Sequence, residues 1–202
     1  MNRVYLTVPF EEKEQAKRLG ARWDNKRRQW YAPDDASVNV FKAWLSQDSP
    51  DGMDQILVEV TSIAETFQTC WKCSRNIPVI SLASDCHHYF DTPWEPFPLL
   101  FSCVTSVPEA VKDCLKTYPS FHPSFSKSLG LSHWRNNCPK CHAAQGDNFL
   151  YGEPGDPFFP TTSFEAELVT LRQLGCAPAS ITCLMVVGQP ADLIFEYARR
   201  VQ

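Results

Sequence analysis

Two pairs of cysteines carry the clearest chemistry in this sequence: Cys70-Trp71-Lys72-Cys73 and Cys138-Pro139-Lys140-Cys141. A Cys-x-x-Cys turn aims two sulfurs at one point, and two such turns supply the four thiolates of a tetrahedral structural zinc, with Zn–S about 2.3 Å. Each pair has a lysine at its third position, which lowers the electrostatic cost of gathering four thiolates. Four protein ligands leave no open coordination position, so these residues predict a structural Zn2+ and not zinc catalysis. The alternative is two unrelated surface turns with free thiols. Between the pairs lie the 64 residues 74–137, against roughly 15–20 in a simple ribbon. The spacing therefore predicts a long inserted loop that leaves the ribbon and returns, at an entropic cost that grows only logarithmically with length.

The other five of the nine cysteines, Cys86, Cys103, Cys114, Cys176 and Cys183, read as small buried hydrophobes. Cys86-His87-His88 puts three ligand types in a row, and a second metal site there would need Cys103 or Cys114 as well. His142 follows the second pair, with a side chain expected to point away from it. Glu59, Glu65, Asp85, Asp91 and Glu95 surround the first pair, and Asp147 and Glu153 follow the second. Paired carboxylates can hold Mg2+ for nuclease chemistry, but solvated surface charge is the simpler reading. His122 and His133 fit no triad. No phosphate-cradling glycine loop, Gly-x-Ser-x-Gly elbow or His-Glu-x-x-His helix is present.

A second constellation is basic and aromatic. Lys26, Arg27 and Arg28 fall on a turn flanked by Trp23, Trp30 and Tyr31, a combination suited to phosphate contact and base stacking. The competing reading makes Trp23, Trp30, Phe41 and Trp44 the core of a tiny domain. The net charge is −4, yet residues 1–46 carry nine Lys/Arg against six Asp/Glu. A locally basic N-terminal end on an acidic body confines nucleic-acid contact to that end.

The elements that must position these groups give an α+β protein. Alternation of Val4, Leu6 and Val8 predicts a strand. A helix follows over about 11–19, with Gly20 as its C′ residue. Two aromatic strands then form a hairpin around Asp24-Asn25, and a second helix covers about 37–45. This strand-helix-hairpin-helix module, residues 1–46, is joined by a polar linker, 47–54, to a zinc-ribbon-containing α+β domain, 55–202. Residues 55–67 fit a strand or a helix, 77–82 a strand, and 84–137 an irregular stretch with one helix at about 108–116. Helices at about 163–174 and 191–201 flank a strand at 181–187. No apolar run is long enough to span a membrane, and no secretory leader is visible at Met1-Asn2-Arg3, so a cytoplasmic protein is expected.

The run Tyr5-Leu6-Thr7-Val8-Pro9-Phe10, then Leu19-Gly20-Ala21-Arg22-Trp23-Asp24 and Trp30-Tyr31-Ala32-Pro33, resembles a small domain of unknown function. That domain recurs in plasmid- and phage-borne bacterial proteins, some of them similar to plasmid DNA primases or topoisomerases. The cysteine half looks like uncharacterised proteins with the same pairing. The resemblance implies a mobile-element setting and supplies no activity. The expectation is a non-enzymatic zinc-binding protein that binds nucleic acid, through residues 22–31, or a nucleic-acid-processing partner. Alternatives are an adaptor or inhibitor that meets a protein through the Pro/aromatic loop 90–101, and a metal-dependent nuclease.

Overall fold

The computed structural model describes residues 4–26, 28–33, 40–41, 44, 53–59, 61–88, 97–175 and 179–201. At the N-terminal end, β1 (Val4–Leu6) pairs antiparallel with β3 (Gln29–Ala32), and β3 with β2 (Arg22–Asp24). A 3-10 turn at Phe10–Glu12 runs into α1 (Lys13–Arg18). Gly20, at φ +102°, ends it in a Schellman motif. Its N–H donates to Lys17 O, and that of Ala21 to Ala16 O, which satisfies carbonyls the helix leaves open. Leu6, Ala16, Ala21, Ala32, Phe41 and Trp44 form a small core with Trp30 packed against it. The expected strand, helix and hairpin are present. Most of the expected second helix, and residues 47–52 of the expected linker, lie outside the described residues.

The larger part is one sheet in the order β13-β11-β5-β6-β8-β12-β4-β7. In chain order its strands are β4 (Asp54–Val58), β5 (Thr61–Thr69), β6 (Asn76–Ser84), β7 (His87–His88), β8 (Leu99–Ser106), β11 (Thr170–Leu174), β12 (Ala179–Val187) and β13 (Arg199–Val201). All neighbours are antiparallel except β11 and β13. Alternation sends side chains to both faces. Ile63, Leu82 and Phe101 belong to a core covered by α2 (Glu109–Leu115), through Val111 and Leu115. Phe121 of β9 (Phe121–Ser126) and Trp134 of β10 (Leu131–Asn136) join it. Ala64, Ala83 and Leu100 belong to the other core, with Leu150 and Tyr151 of α3 (Asn148–Tyr151) and Ala191, Ile194 and Phe195 of α5 (Gln189–Tyr197).

Residues 55–67, which fit either element, are strands where described. Three expectations give way. The stretch 84–137 is no irregular loop but holds β7, β8, α2, β9 and β10 among its described residues, so the excursion between the cysteine pairs is part of the sheet. The helix expected over 163–174 is the single turn α4 (Ser163–Ala166), after which the chain becomes β11. Pairing of β11 with both β5 and β13 outweighs the helical spacing of Leu168, Leu171 and Leu174. Likewise the last helix ends at Tyr197 and β13 follows. No helix among the described residues is long and apolar enough to cross a membrane.

Candidate metal centre and basic-aromatic groove

Cys70–Cys73 sits in the connection between β5 and β6, where a hairpin turn already reverses the chain. In this knuckle the Ser74 N–H donates to Cys70 O at 2.9 Å and the Cys70 N–H to Arg75 O at 2.8 Å. The second knuckle repeats the pattern: His142 N–H to Cys138 O at 2.9 Å, and Cys138 N–H to Ala143 O at 2.9 Å. Amides also point at sulfur, from Lys140 and Cys141 to Cys138 Sγ at 3.4 and 3.5 Å. The Gln145 side-chain amide donates to Cys70 Sγ at 3.5 Å.

The fold brings all four sulfurs together. They lie within 4.8 Å of one another, and Cys70–Cys141 and Cys73–Cys138 are 3.7 Å apart. A disulfide needs about 2.05 Å. A tetrahedron with metal–sulfur bonds of about 2.3 Å has an edge of about 3.8 Å, so the spacing suits a shared ion and the cluster can hold a metal. Electrostatics agree. Burial raises the Cys70 thiol, but the Cys73 and Lys72 amides outweigh it and bring it to about 6. The Cys141 amide lowers Cys138. At Cys141 the Ala143 amide lowers the thiol, yet burial and the neighbouring sulfurs push it up to about 11. His142 is exposed and outside the cluster, as expected.

Among the described residues Glu59, Glu65, Asp85 and Glu153 join no ligand cluster; Asp91 and Glu95 lie outside the described residues. Glu59 accepts the Cys86 thiol at 3.3 Å, and burial, followed by Glu59, pushes that thiol up to about 11. Cys86 and His87 do not gather into a site with Cys103 or Cys114. Asp147 instead meets Cys103 and His133, a grouping no local motif signals.

The basic-aromatic residues divide. Trp23 and Trp30 are register partners on β2 and β3 and meet edge to face, centroids 5.5 Å apart. Trp30 leans on the small core, whereas Trp23 is 46% exposed. Arg28 (φ 53°) closes the hairpin turn, in which Asp24 Oδ1 accepts the Lys26 N–H at 2.8 Å. Trp23, Arg28 and Trp30 line a groove of about 460 Å³ with Leu6, Val8, Phe10 and Lys13. Tyr31 sits opposite Arg22 in the register, on the other face of the sheet, and does not line the groove. Lys26 is exposed and does not line the groove, and Arg27 lies outside the described residues. Sequence reasoning missed Phe10, 75% exposed, and Lys13, whose Nζ lies 3.6 Å from the Phe10 centroid. An apolar residue beside an acidic helix start was their only signal. Of the expected protein-binding loop, 90–96 lie outside the described residues. Phe97 meets His87 edge to face, and Leu99–Phe101 are buried in β8.

Comparison with known proteins bears on the N-terminal end alone. Residues 3–46 match a domain of unknown function, DUF5710. Two proteins of Escherichia coli, both described as DNA primase TraC, are 50% identical over 45 residues and 45% identical over 42. Those matches cover 22% and 21% of this chain but only 4% and 3% of the primases. No solved structure matches.

Proposed function

We propose that this is a plasmid-associated nucleic-acid-binding protein whose N-terminal groove takes single-stranded DNA or RNA, and whose four clustered cysteines hold one structural zinc. The observation that carries the reading is the groove itself. Exposed Phe10 and Trp23 offer π-faces for bases, and Lys13 and Arg28 line the same groove for phosphates. Stacking contributes about 1–3 kcal/mol per base without regard to sequence, and Lys/Arg contacts add a salt-dependent term. Glu12 of the same helix start is engaged by the Trp44 indole N–H. The 50% identity to a protein described as a DNA primase lies in this segment, which supports a nucleic-acid setting. In the body, the 3.7 Å sulfur spacings and the two matched turns support zinc as a clasp across the sheet. Fluorescence anisotropy of a labelled single-stranded 20-mer tests the reading. Affinity should fall steeply with salt and fall again in Trp23→Ala and Arg28→Ala. Binding that ignores both changes, or no binding at low salt, defeats it, and loss only in Phe97→Ala would favour a protein-facing role instead.

A further inference from the structure

Cys103, His133 and Asp147 come from three elements: β8, β10, which packs beside β8, and the residue before α3. One donor atom of each lies within 4.8 Å of the other two. Some point is then within about 2.8 Å of all three atoms, against ligand bonds of about 2.0–2.3 Å. From that outer limit, shifts of about 0.5–0.8 Å close the three on a single ion.

The supports of these side chains are specific. Cys103 sits inside a strand at φ 51°, left-handed backbone that a non-glycine residue rarely adopts. Its N–H donates to Asp147 Oδ2 at 2.6 Å, and the buried Ser102 hydroxyl donates to the same oxygen at 3.1 Å. Strand β8 thus holds the carboxylate beside its own thiol. His133 is 2% exposed, and its Nδ1 is buried with no hydrogen-bond partner. A buried nitrogen without a partner is destabilising unless something binds it, and one ring nitrogen of this side chain lies within 4.8 Å of the thiol and the carboxylate.

Two chemistries use a cysteine, a histidine and an aspartate together. In a nucleophilic site the carboxylate hydrogen-bonds the imidazole, which takes the thiol proton. Here no hydrogen bond joins Asp147 and His133 among the described residues, and the carboxylate is committed to β8. A buried imidazole that approaches the thiol and the carboxylate with its Nδ1 unpaired is what one ion between the three explains. We propose that Cys103, His133 and Asp147 form a second metal site, separate from the four cysteines, that binds a divalent transition metal of the zinc class. One thiolate and one carboxylate cancel the charge of the dication, and the mixed S, N and O donors suit zinc. Three protein ligands leave a fourth position for water, the arrangement of a reactive zinc rather than a structural one. His133 and Asp147 flank the second knuckle in sequence, so a single segment feeds both sites. This inference does not depend on the nucleic-acid reading.

Titration of the reduced, metal-free full chain with Co2+, followed by absorption, tests it. The wild type should take two equivalents, one with the intense charge-transfer bands of four thiolates and one with the weaker bands of a single thiolate. Cys103→Ser and Asp147→Asn should each reduce two equivalents to one and leave the four-thiolate spectrum intact, which itself reports a folded body. Cys70→Ser should lose the four-thiolate bands and keep the single-thiolate ones. Saturation of the wild type at one equivalent overturns the proposal, whatever becomes of the variants. So does retention of two equivalents in Cys103→Ser and Asp147→Asn.

Discussion

Ser74 and His142 occupy the same place in two turns 68 residues apart, each following the second cysteine of its pair, at φ 55° and 57°. Each donates its N–H to the carbonyl of the first cysteine. Neither is a glycine, so each knuckle holds its left-handed residue against an intrinsic preference. A metal ion, which the four sulfurs could hold, would account for that.

Loss of one knuckle should therefore remove the clasp as a whole. Cys70→Ser or Cys138→Ser is expected to abolish binding at the four-cysteine site and lower Tm by roughly 10 °C or more, the scale associated with a lost metal in a domain of this size. Elemental analysis and calorimetry measure both. An unchanged Tm would show that the sulfurs cluster without a stabilising ion.

The two groove tryptophans should separate binding from stability. Trp23→Ala is expected to weaken single-stranded oligonucleotide binding about tenfold with little change in Tm. Trp30→Ala, which opens the small core, should destabilise the N-terminal end by about 2–3 kcal/mol. Anisotropy and hydrogen exchange read the two effects.

Asn136 pins β10 to the stretch of β6 that precedes its pairing with β8, accepting the Ile80 N–H at 2.8 Å and donating to the Ile80 carbonyl at 2.9 Å. Asn136→Ala leaves both groups buried and unpaired, a loss of about 2–4 kcal/mol. Urea unfolding checks it, and a change below ~1 kcal/mol would mean that water replaces the side chain.

Cys86 should be a slow thiol. Burial and Glu59 raise it to about 11 from 9.0, so at pH 8 its thiolate fraction is about a hundredth of an ordinary thiol's. The sign follows directly: the protonated form is favoured, and alkylation should accelerate as pH rises toward 11. Glu59→Gln should raise the rate at pH 8 by roughly 3–10-fold. Mass spectrometry of iodoacetamide adducts resolves it.

Local signals made some of this molecule legible and hid the rest. Gly20 after a charged helix and Pro108 before another are decided within a few residues and read correctly, and the two Cys-x-x-Cys turns cluster their four sulfurs. Thr170–Leu174 reads as helix because Thr162 or Ser163 can cap one and Gly175 can end it; it is a strand because β5 and β13 pair with it. The irregular reading of 84–137 failed for the same reason. Proline and aromatic residues mask strands that are specified only by their neighbours in the sheet. Cys103, His133 and Asp147 carry no local motif, and only the fold brings them together. Tyr31 shares the aromatic run of Trp30, yet strand alternation puts the two on opposite faces.

The most direct test of nucleic-acid binding is the response of the indole N–H resonances to a single-stranded oligonucleotide, in the 15N-labelled full chain. Trp23 and Trp30 should shift at saturation, while Trp71, whose Nε1 is held by Ala144 O at 2.9 Å, and Trp134, packed in the body core, should stay in place. Unmoved Trp23 and Trp30 signals, or shifts confined to Trp71 and Trp134, would contradict the account.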